Sequence, residues 1–439
     1  MTDSNSKIFF INRSELEDRY DATFYKEGFD FSNFIRLSQI AKVSGGKRLP
    51  KGLDFSNEPT EFRYLRVGDV NWDGTLNYTS FRYLSKKVFY LLKRYEIFKN
   101  NILIAIVGAT VGKVALMDID TPERIILTEN CAKITIQSSN VNSQYLAIIL
   151  QSSIVQKQIQ LNYIQTTLPK LGLDRVASLY IPKIPPVNIQ SEIVTYFKKA
   201  SLEKQQKENQ ANDLLASIDT YIIRELGLTL PEKTIGIESR IFTSLFSDVG
   251  GVRFDPLYFK NKGTIKSNIY PNNTLKRVAS INKGQSITKD NITAGDFSVI
   301  AGGQSSPYSI DRYNFEGDVI TISASGAYSG FVWYHDYPIF ASDCIVLQSK
   351  NEKEVSTHFI YYVMKALQQE IYKLQQGAGQ PHVYARDLEK IIIPTPPQTK
   401  QNEMLKHIKD IHNQIKKLQE DAISILENAK SEVEILILG

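Results

Sequence analysis

Apolar residues along this chain fall into two patterns that alternate. Short β-branched and aromatic runs, bounded by Gly, Asn and Asp, predict strands: ILIAIVG (102–108), RIILT (124–128), AKITI (132–136), VITIS (319–323) and GFVWY (330–334). Amphipathic stretches follow each group, SQYLAIILQSSIVQKQIQ (143–160) and THFIYYVMKALQQEIYKLQ (357–375), and each reads as a helix. Beyond each stretch lies a proline pair and then a much longer helical pattern. Prolines suit the approach to a helix and not its interior.

The longer patterns carry an apolar seam. From about Ile189 to Leu226, with Gly227 a natural stop, steps of four and three fall on Ile193, Phe197, Ala200, Lys204, Lys207, Ala211, Leu214, Ile218 and Tyr221. From near Gln398 the same steps fall on Met404, Ile408, Ile411, Ile415, Leu418, Ala422, Ile425 and Ala429. A 3.5-residue period held for several heptads predicts that the two helices pack on each other as a coiled coil. About 38 residues at 1.5 Å each make a rod of roughly 57 Å. Parallel helices would crowd the globular parts at one end, so antiparallel packing is expected.

The chain also repeats itself. Gly108-Ala109-Thr110-Val111-Gly112-Lys113-Val114 recurs as Gly326-Ala327-Tyr328-Ser329-Gly330-Phe331-Val332, Cys131 recurs as Cys344, and Asp174 with IPKIPP (181–186) recurs as Asp387 with IPTPP (393–397). Arg19-Tyr20-Asp21 and Arg253-Phe254-Asp255 open the two copies. Landmarks in one order mean a tandem duplication of whole domains, too long for solenoid repeats. The expected fold class is α+β: two tandem strand-rich domains separated by two long helices packed as an antiparallel coiled coil. The boundaries expected are 1–186 and 229–395 for the domains, and 187–228 and 396–439 for the helices.

Composition narrows the class. The 439 residues are 42% hydrophobic, 23% charged and 10% aromatic, including 23 Tyr and 21 Phe, which excludes a disordered chain. No apolar stretch approaches the roughly 18 residues of a spanning helix, and the polar, acidic start does not match a signal peptide, so a cytoplasmic protein is expected. Two cysteines make no disulfide framework and read as buried small hydrophobes. The five His are His335, His358, His382, His407 and His412, with no metal-ligand spacing, so no metal site is expected. The net charge of +5 permits a nucleic-acid partner without requiring one.

Motifs for catalysis fail on spacing. GATVGK (108–113) has three residues between its glycines where a phosphate loop needs four, Val114 follows its lysine, and the second copy has Phe331 in place of that lysine. No Asp or Glu has Lys two positions on, as metal-dependent nucleases often do, and Asp255-Pro256-Leu257-Tyr258 lacks the second proline of an amino-methyltransferase turn. No catalytic residue is assigned. Basic and aromatic residues do cluster where loops are expected: Lys47, Arg48 and Lys51, then Arg63, Tyr64, Arg66, Asn71 and Trp72. Residues 251–300 hold eight Lys or Arg against three Asp or Glu, among them Lys276, Arg277, Lys283 and Lys289, with Gln285 between the last two. Gln304 and Ser305 follow, and the glycine turns would present Thr110, Lys113, Ser325, Tyr328 and Ser329. Arg and Lys fork onto guanine, Gln onto adenine, and hydroxyls onto phosphate or base, so the inventory suits reading a DNA groove. A single basic loop residue is usually only solvated surface, so the clusters carry the argument.

The duplicated unit, the Ile-Pro-x-Pro-Pro approach and the paired helices together resemble the specificity (S) subunit of Type I restriction-modification enzymes. The resemblance covers essentially the whole chain and rests on YLRVGDVNWDG (64–74), LIAIVGATVGKVA (103–115), LYIPKIPPVNIQSEIV (179–194), FASDCIVL (340–347) and IIIPTPPQTKQNEM (391–404). Family helices often begin Pro-Pro-Leu-x-Glu-Gln; here Val187 with Ile189-Gln190, and Thr399 with Lys400-Gln401, stand instead. The resemblance implies two target-recognition domains reading the halves of a bipartite DNA sequence, with the coiled coil as a ruler longer than the roughly 34 Å turn of B-DNA. It also implies assembly with two modification (methyltransferase) subunits and with restriction subunits. S-adenosylmethionine, ATP and magnesium would then belong to those partners and not to this chain. Divergence between the copies implies an asymmetric target. Two other readings stand beside this one: the specificity component of a Type IIB-like system, and a non-catalytic coiled-coil scaffold or adaptor.

Overall fold

The computed structural model describes residues 31–162, 169–231, 243, 265–288, 293–306, 308–377 and 379–438. The opening repeats at Arg19 and Arg253, and Lys289, lie outside them. The chain divides into two compact units, Met1–Lys207 with Glu420–Gly439, and Glu208–Gln419. Each long helix contributes a part to both.

The first unit contains β1 (Phe34–Arg36), β2 (Ala41–Gly45), β3 (Phe62–Leu65), β4 (Arg82–Tyr83), α1 (Lys86–Leu92), β5 (Glu96–Ile97), β6 (Ile102–Ala105), β7 (Val114–Leu116), β8 (Arg124–Leu127) and β9 (Cys131–Ile136). Helices α2 (Ser143–Leu150), α3 (Ser153–Asn162) and α4 (Leu173–Ala177) follow, then β10 (Tyr180–Pro182) and the long α5 (Val187–Glu225). Two four-stranded sheets form, ordered β2-β9-β6-β7 and β4-β3-β8-β5, and the β3–β8 pair is parallel. Strand β6 is buried at every residue because it has core on both faces: Ile102 and Ile104 join the helices, while Leu103 turns to a second cluster with Leu65 and Ile125. A two-sided strand of this kind reads as an unbroken apolar run, as the sequence does here.

The second unit repeats the plan. It contains β11 (Leu228–Thr229), β12 (Lys266–Ser267), β13 (Asn272–Thr274), α6 (Leu275–Val278), β14 (Ala279–Lys283), β15 (Phe297–Ile300), β16 (Ser309–Ile310), β17 (Val319–Ser323), β18 (Val332–His335), β19 (Ile339–Ala341) and β20 (Cys344–Ser349). After these come α7 (Thr357–Ala366), α8 (Gln368–Tyr372), α9 (Ala385–Leu388), β21 (Ile392–Pro394) and α10 (Gln398–Leu438). The order β14-β20-β17-β18 matches β2-β9-β6-β7, and the parallel pair β15–β19 matches β3–β8. Cys131 faces Ala105 and Cys344 faces Ser323 at equivalent places. Both thiols are buried, and burial pushes each pKa up to about 12.

Both amphipathic stretches break where the sequence predicts a single helix. Gln151 and Ser152 donate their N–H groups to Ile148 and Ile149, three residues back, which tightens and ends α2 before α3 begins. The apolar period continues across the break, so periodicity does not reveal it.

The long helices run antiparallel within each unit. In the first, the Tyr196 hydroxyl donates to Glu432, and Lys207 lies 3.8 Å from Asp421. In the second, the Tyr221 and His407 rings lie 4.4 Å apart at a tilt of 43°, and Lys400 bonds Glu225 at 3.0 Å. Ile193, Phe197, Ile218, Ile408, Ile411 and Ile415 are buried in the seam, with Leu214, Tyr221 and Leu418 partly buried beside them. Near each C-terminus the seam moves by one residue: Ile222 and Leu226 are buried in place of Tyr221, and Leu426 in place of the expected Ile425. In α10 the departure is local, because Ala429, the next expected position, is buried as expected. Lys204 leaves the seam for a loop, bonding Asp73 at 3.1 Å.

Candidate nucleic-acid interface

In each unit the strand registers bring four chain segments to one end of the sheets. In the first unit these are the loop after β2 (46–52), the loop after β3 (66–75), the glycine turn after β6 (106–113) and the β8–β9 corner (128–130). Gly46 donates to the Cys131 carbonyl, Lys47 to Leu127, Thr128 to Leu65 and Ile106 to Asn130. In the second, Gly284 donates to Cys344, Gln285 to Ala341, Ser342 to Ile300 and Ala324 to Asp343. The same backbone frame thus carries two different sets of side chains. Glycine is required where the loop leaves the frame, since a Cβ on Gly46 would lie 2.0 Å from the Thr128 carbonyl oxygen and one on Gly284 2.1 Å from that of Ser342.

The glycine turns are built alike. Gly108 and Gly112 have φ of 82° and 96°, and Gly326 and Gly330 have 87° and 93°, all in the left-handed region. Gly108 donates to Pro169 and Gly326 to Pro381, and an amide from the following helices closes each turn: Gln156 on the Gly112 carbonyl at 2.9 Å, Gln368 on that of Gly330 at 2.8 Å. The turn is a structural corner and not a phosphate cradle.

The candidate residues separate into exposed and structural groups. Lys47, Arg48 and Lys51 are exposed on the first loop; Lys283, also exposed, is the last residue of β14 and not a loop residue, while Gln285, Gln304, Ser305 and Tyr328 are exposed on the strand-end segments of the second unit. Trp72 is 56% exposed at the tip of the 66–75 loop, where Asn71 bonds Thr75 and holds the turn. Lys113, half-buried, donates to the Val70 carbonyl at 3.0 Å and sits 5.7 Å from the Trp72 ring, which joins the glycine turn to that loop. Asp73 anchors the same loop to α5 through Lys204; burial opposes its charge, but bonds from Thr75 and Lys204 outweigh burial and hold its pKa below the usual carboxylate range. Thr110 and Ser325 are half-buried, and Ser325 donates to Asp343.

Three candidates are corrected. Arg63 and Tyr64 belong to β3, not to a loop: Arg63 is 7% exposed, paired with Glu123 and bonded to the Tyr78 and Phe81 carbonyls, and the Tyr64 hydroxyl supports Lys47 from beneath. Ser329 is fully buried inside its turn, where Gln375 donates to its carbonyl. Arg66 is partly committed too, spanning Asp69 and the Ser80 carbonyl. Sequence reasoning also missed residues at these ends, namely Glu129, Asp343, His382 and Tyr384. Glu129 pairs with Arg48 at 2.6 Å, and His382 pairs across to Ser325. The corner residues lie just before the two cysteines, the one landmark that pointed to them.

Among the described residues no three His, Cys, Asp or Glu side chains gather to hold a metal ion, and no helix is long and apolar enough to cross a membrane. Two copies of one frame, each presenting varied hydrogen-bonding side chains at the same strand ends, define a duplicated recognition protein. The family model for the Type I restriction modification DNA specificity domain matches residues 30–215 and 271–426, one match in each copy, and the chain belongs to that family. It is 26% identical over 155 residues to the Type I restriction enzyme EcoBI specificity subunit of Escherichia coli, covering 35% of this chain and 32% of that protein. The chain thus aligns with about a third of the length of that relative. A solved structure described as showing complex assembly and conformational transition of the type I R-M system shares the fold, at TM-score 0.51 and 14% identity over 92% of this chain and 96% of that one. The S subunit from M. genitalium matches at TM-score 0.42 and 16% identity over 91% and 94%.

Proposed function

We propose that this chain is the DNA-recognition component of a Type I restriction-modification assembly and performs no reaction of its own. Each unit reads one half of a bipartite target in the major groove through its four strand-end segments, and the paired long helices fix the gap between the halves. Family membership supports the assignment, and one observation carries it: the same backbone frame presents different side chains in the two copies. Lys47 stands where Gln285 stands, and Arg48 where Ser286 stands, so the first unit offers cationic forks and the second offers amides and hydroxyls. Different donors on one frame select different bases, so the two halves differ and the target is not palindromic.

In this reading the assembly contains two modification subunits, which use S-adenosylmethionine to methylate adenine, and restriction subunits, which use ATP and magnesium. Mapping methylated adenines across the genome of cells carrying the chain with its partners tests the proposal. A motif of two unlike parts separated by a fixed gap is expected. A continuous palindrome, or methylation that survives deletion of this chain, refutes it.

A further inference from the structure

We infer that Glu129 is a positioning residue that holds the Arg48 guanidinium for reading a guanine in the half-site of the first unit; the inference rests on the proposed reading of the strand ends. The Arg48 side chain is 79% exposed, yet its Nε donates to Glu129 Oε1 at 2.6 Å. Glu129 is 28% exposed, and its other oxygen accepts from the Thr128 hydroxyl at 3.4 Å. Water screens a pair this open, so the fold gains little stability from it. What it fixes is direction. An arginine tethered at Nε keeps both terminal nitrogens free, and Nη1 and Nη2 of Arg48 make no hydrogen bond to the described protein.

Comparison of the copies makes the pairing specific. The corner before the cysteine is Thr128-Glu129-Asn130 in the first unit and only Ser342-Asp343 in the second. Thr128 and Ser342 occupy one place, donating to the ends of β3 and β15, and Asn130 and Asp343 occupy the next, accepting from Ile106 and Ala324. Glu129 is therefore the extra residue. On the facing loop, Gly46 and Gly284 are equivalent, which aligns Arg48 with Ser286. The arginine and its carboxylate are present together in one copy and replaced or missing together in the other.

The chemistry favours a base over the backbone. A carboxylate beside a phosphate contact repels the phosphate, whereas beside a base contact it orients the fork and reduces the side-chain freedom lost on binding. Two free terminal N–H groups on a fixed arginine match guanine O6 and N7 in the major groove.

The test selects duplexes from a randomised DNA library with the full chain and its methyltransferase partner, comparing wild type with Arg48→Ala, Arg48→Lys and Glu129→Gln. Thermal melting of each variant checks folding. The wild type is expected to require guanine at one position of one half-site. Arg48→Ala and Arg48→Lys should lose that preference by on the order of 5- to 150-fold, leaving the other half-site intact. Glu129→Gln should weaken the preference at the same position, with unchanged melting and no loss of affinity for non-specific duplex. Undiminished guanine preference in Glu129→Gln overturns the inference, as does a uniform loss across all sequences in Arg48→Ala, which marks a phosphate contact. A wild type that selects no sequence overturns the reading of the strand ends and the inference with it.

Discussion

Gln190 and Gln401 occupy equivalent places in the first turns of α5 and α10, and both are fully buried. The Gln190 side-chain oxygen accepts from the Asn142 N–H at 2.8 Å, and its amide donates to the carbonyls of Asn140 and Pro185. Gln401 repeats this on Ser356 N–H, Glu354 and Pro396. Asn142 and Ser356 cap α2 and α7, so one amide ties the start of a long helix to the capped helix of its domain. Substituting Gln190→Met preserves most of the volume and removes all three bonds. At about 0.5–1.5 kcal/mol net each, with the Asn142 N–H left without a partner, the loss should be about 2–4 kcal/mol. Hydrogen exchange reads it locally, which suits a two-unit chain whose global unfolding need not be two-state. The Asn142 amide should exchange roughly 30- to 1,000-fold faster, with Ser356 unchanged, and Gln401→Met should do the reverse. Undiminished protection of Asn142 in Gln190→Met would refute the clamp; equal loss at both amides would show that it does not act within one unit.

Other expectations follow from particular contacts. Gly46→Ala and Gly284→Ala each place a Cβ near 2 Å from a backbone oxygen; each should displace its own loop, abolishing selection of one half-site and sparing the other in a randomised-duplex selection. Ile411→Asp with Ile415→Asp buries two carboxylates in the seam, where both isoleucines are under 10% exposed; denaturation should show a loss of several kcal/mol, and the gap in the methylated motif should become variable or methylation cease. His335 is fully buried against Thr321 at 2.8 Å, and burial lowers its pKa to about 4 from an unfolded value near 6.5. The unfolded chain then binds the proton more readily, so the second unit should lose roughly 2–4 kcal/mol as pH falls from about 6.5 to 4. Replacement of His335 by Gln should flatten that slope in urea titrations at stepped pH; an unchanged slope would assign it to other groups.

How far the sequence predicts this molecule depends on whether a feature is periodic or paired. The central strands are local apolar runs and the long helices are periodic, and the first helix falls close to expectation, at Val187–Glu225 against about 189–226. Duplication is legible because the glycines at φ near 90° hold a backbone conformation that other residues rarely adopt, and they recur in the same order in both copies. Pairing is not local and escapes such reading. Arg63 sits in a basic cluster whose spacing suggests a loop, yet the parallel β3–β8 register turns it inward onto Glu123, sixty positions away. Glu129 is unremarkable in sequence until the β2 and β9 ends place Arg48 beside it. The same registers explain why the loops can diverge without cost to the fold. Their backbone is fixed by donors to Cys131 and Cys344, to Leu127 and Ala341, and none of those bonds depends on the side chain that the loop presents. The frame that holds these loops is thus indifferent to the side chains they present, so Arg48 and Ser286, or Lys47 and Gln285, stand at equivalent places on the same backbone.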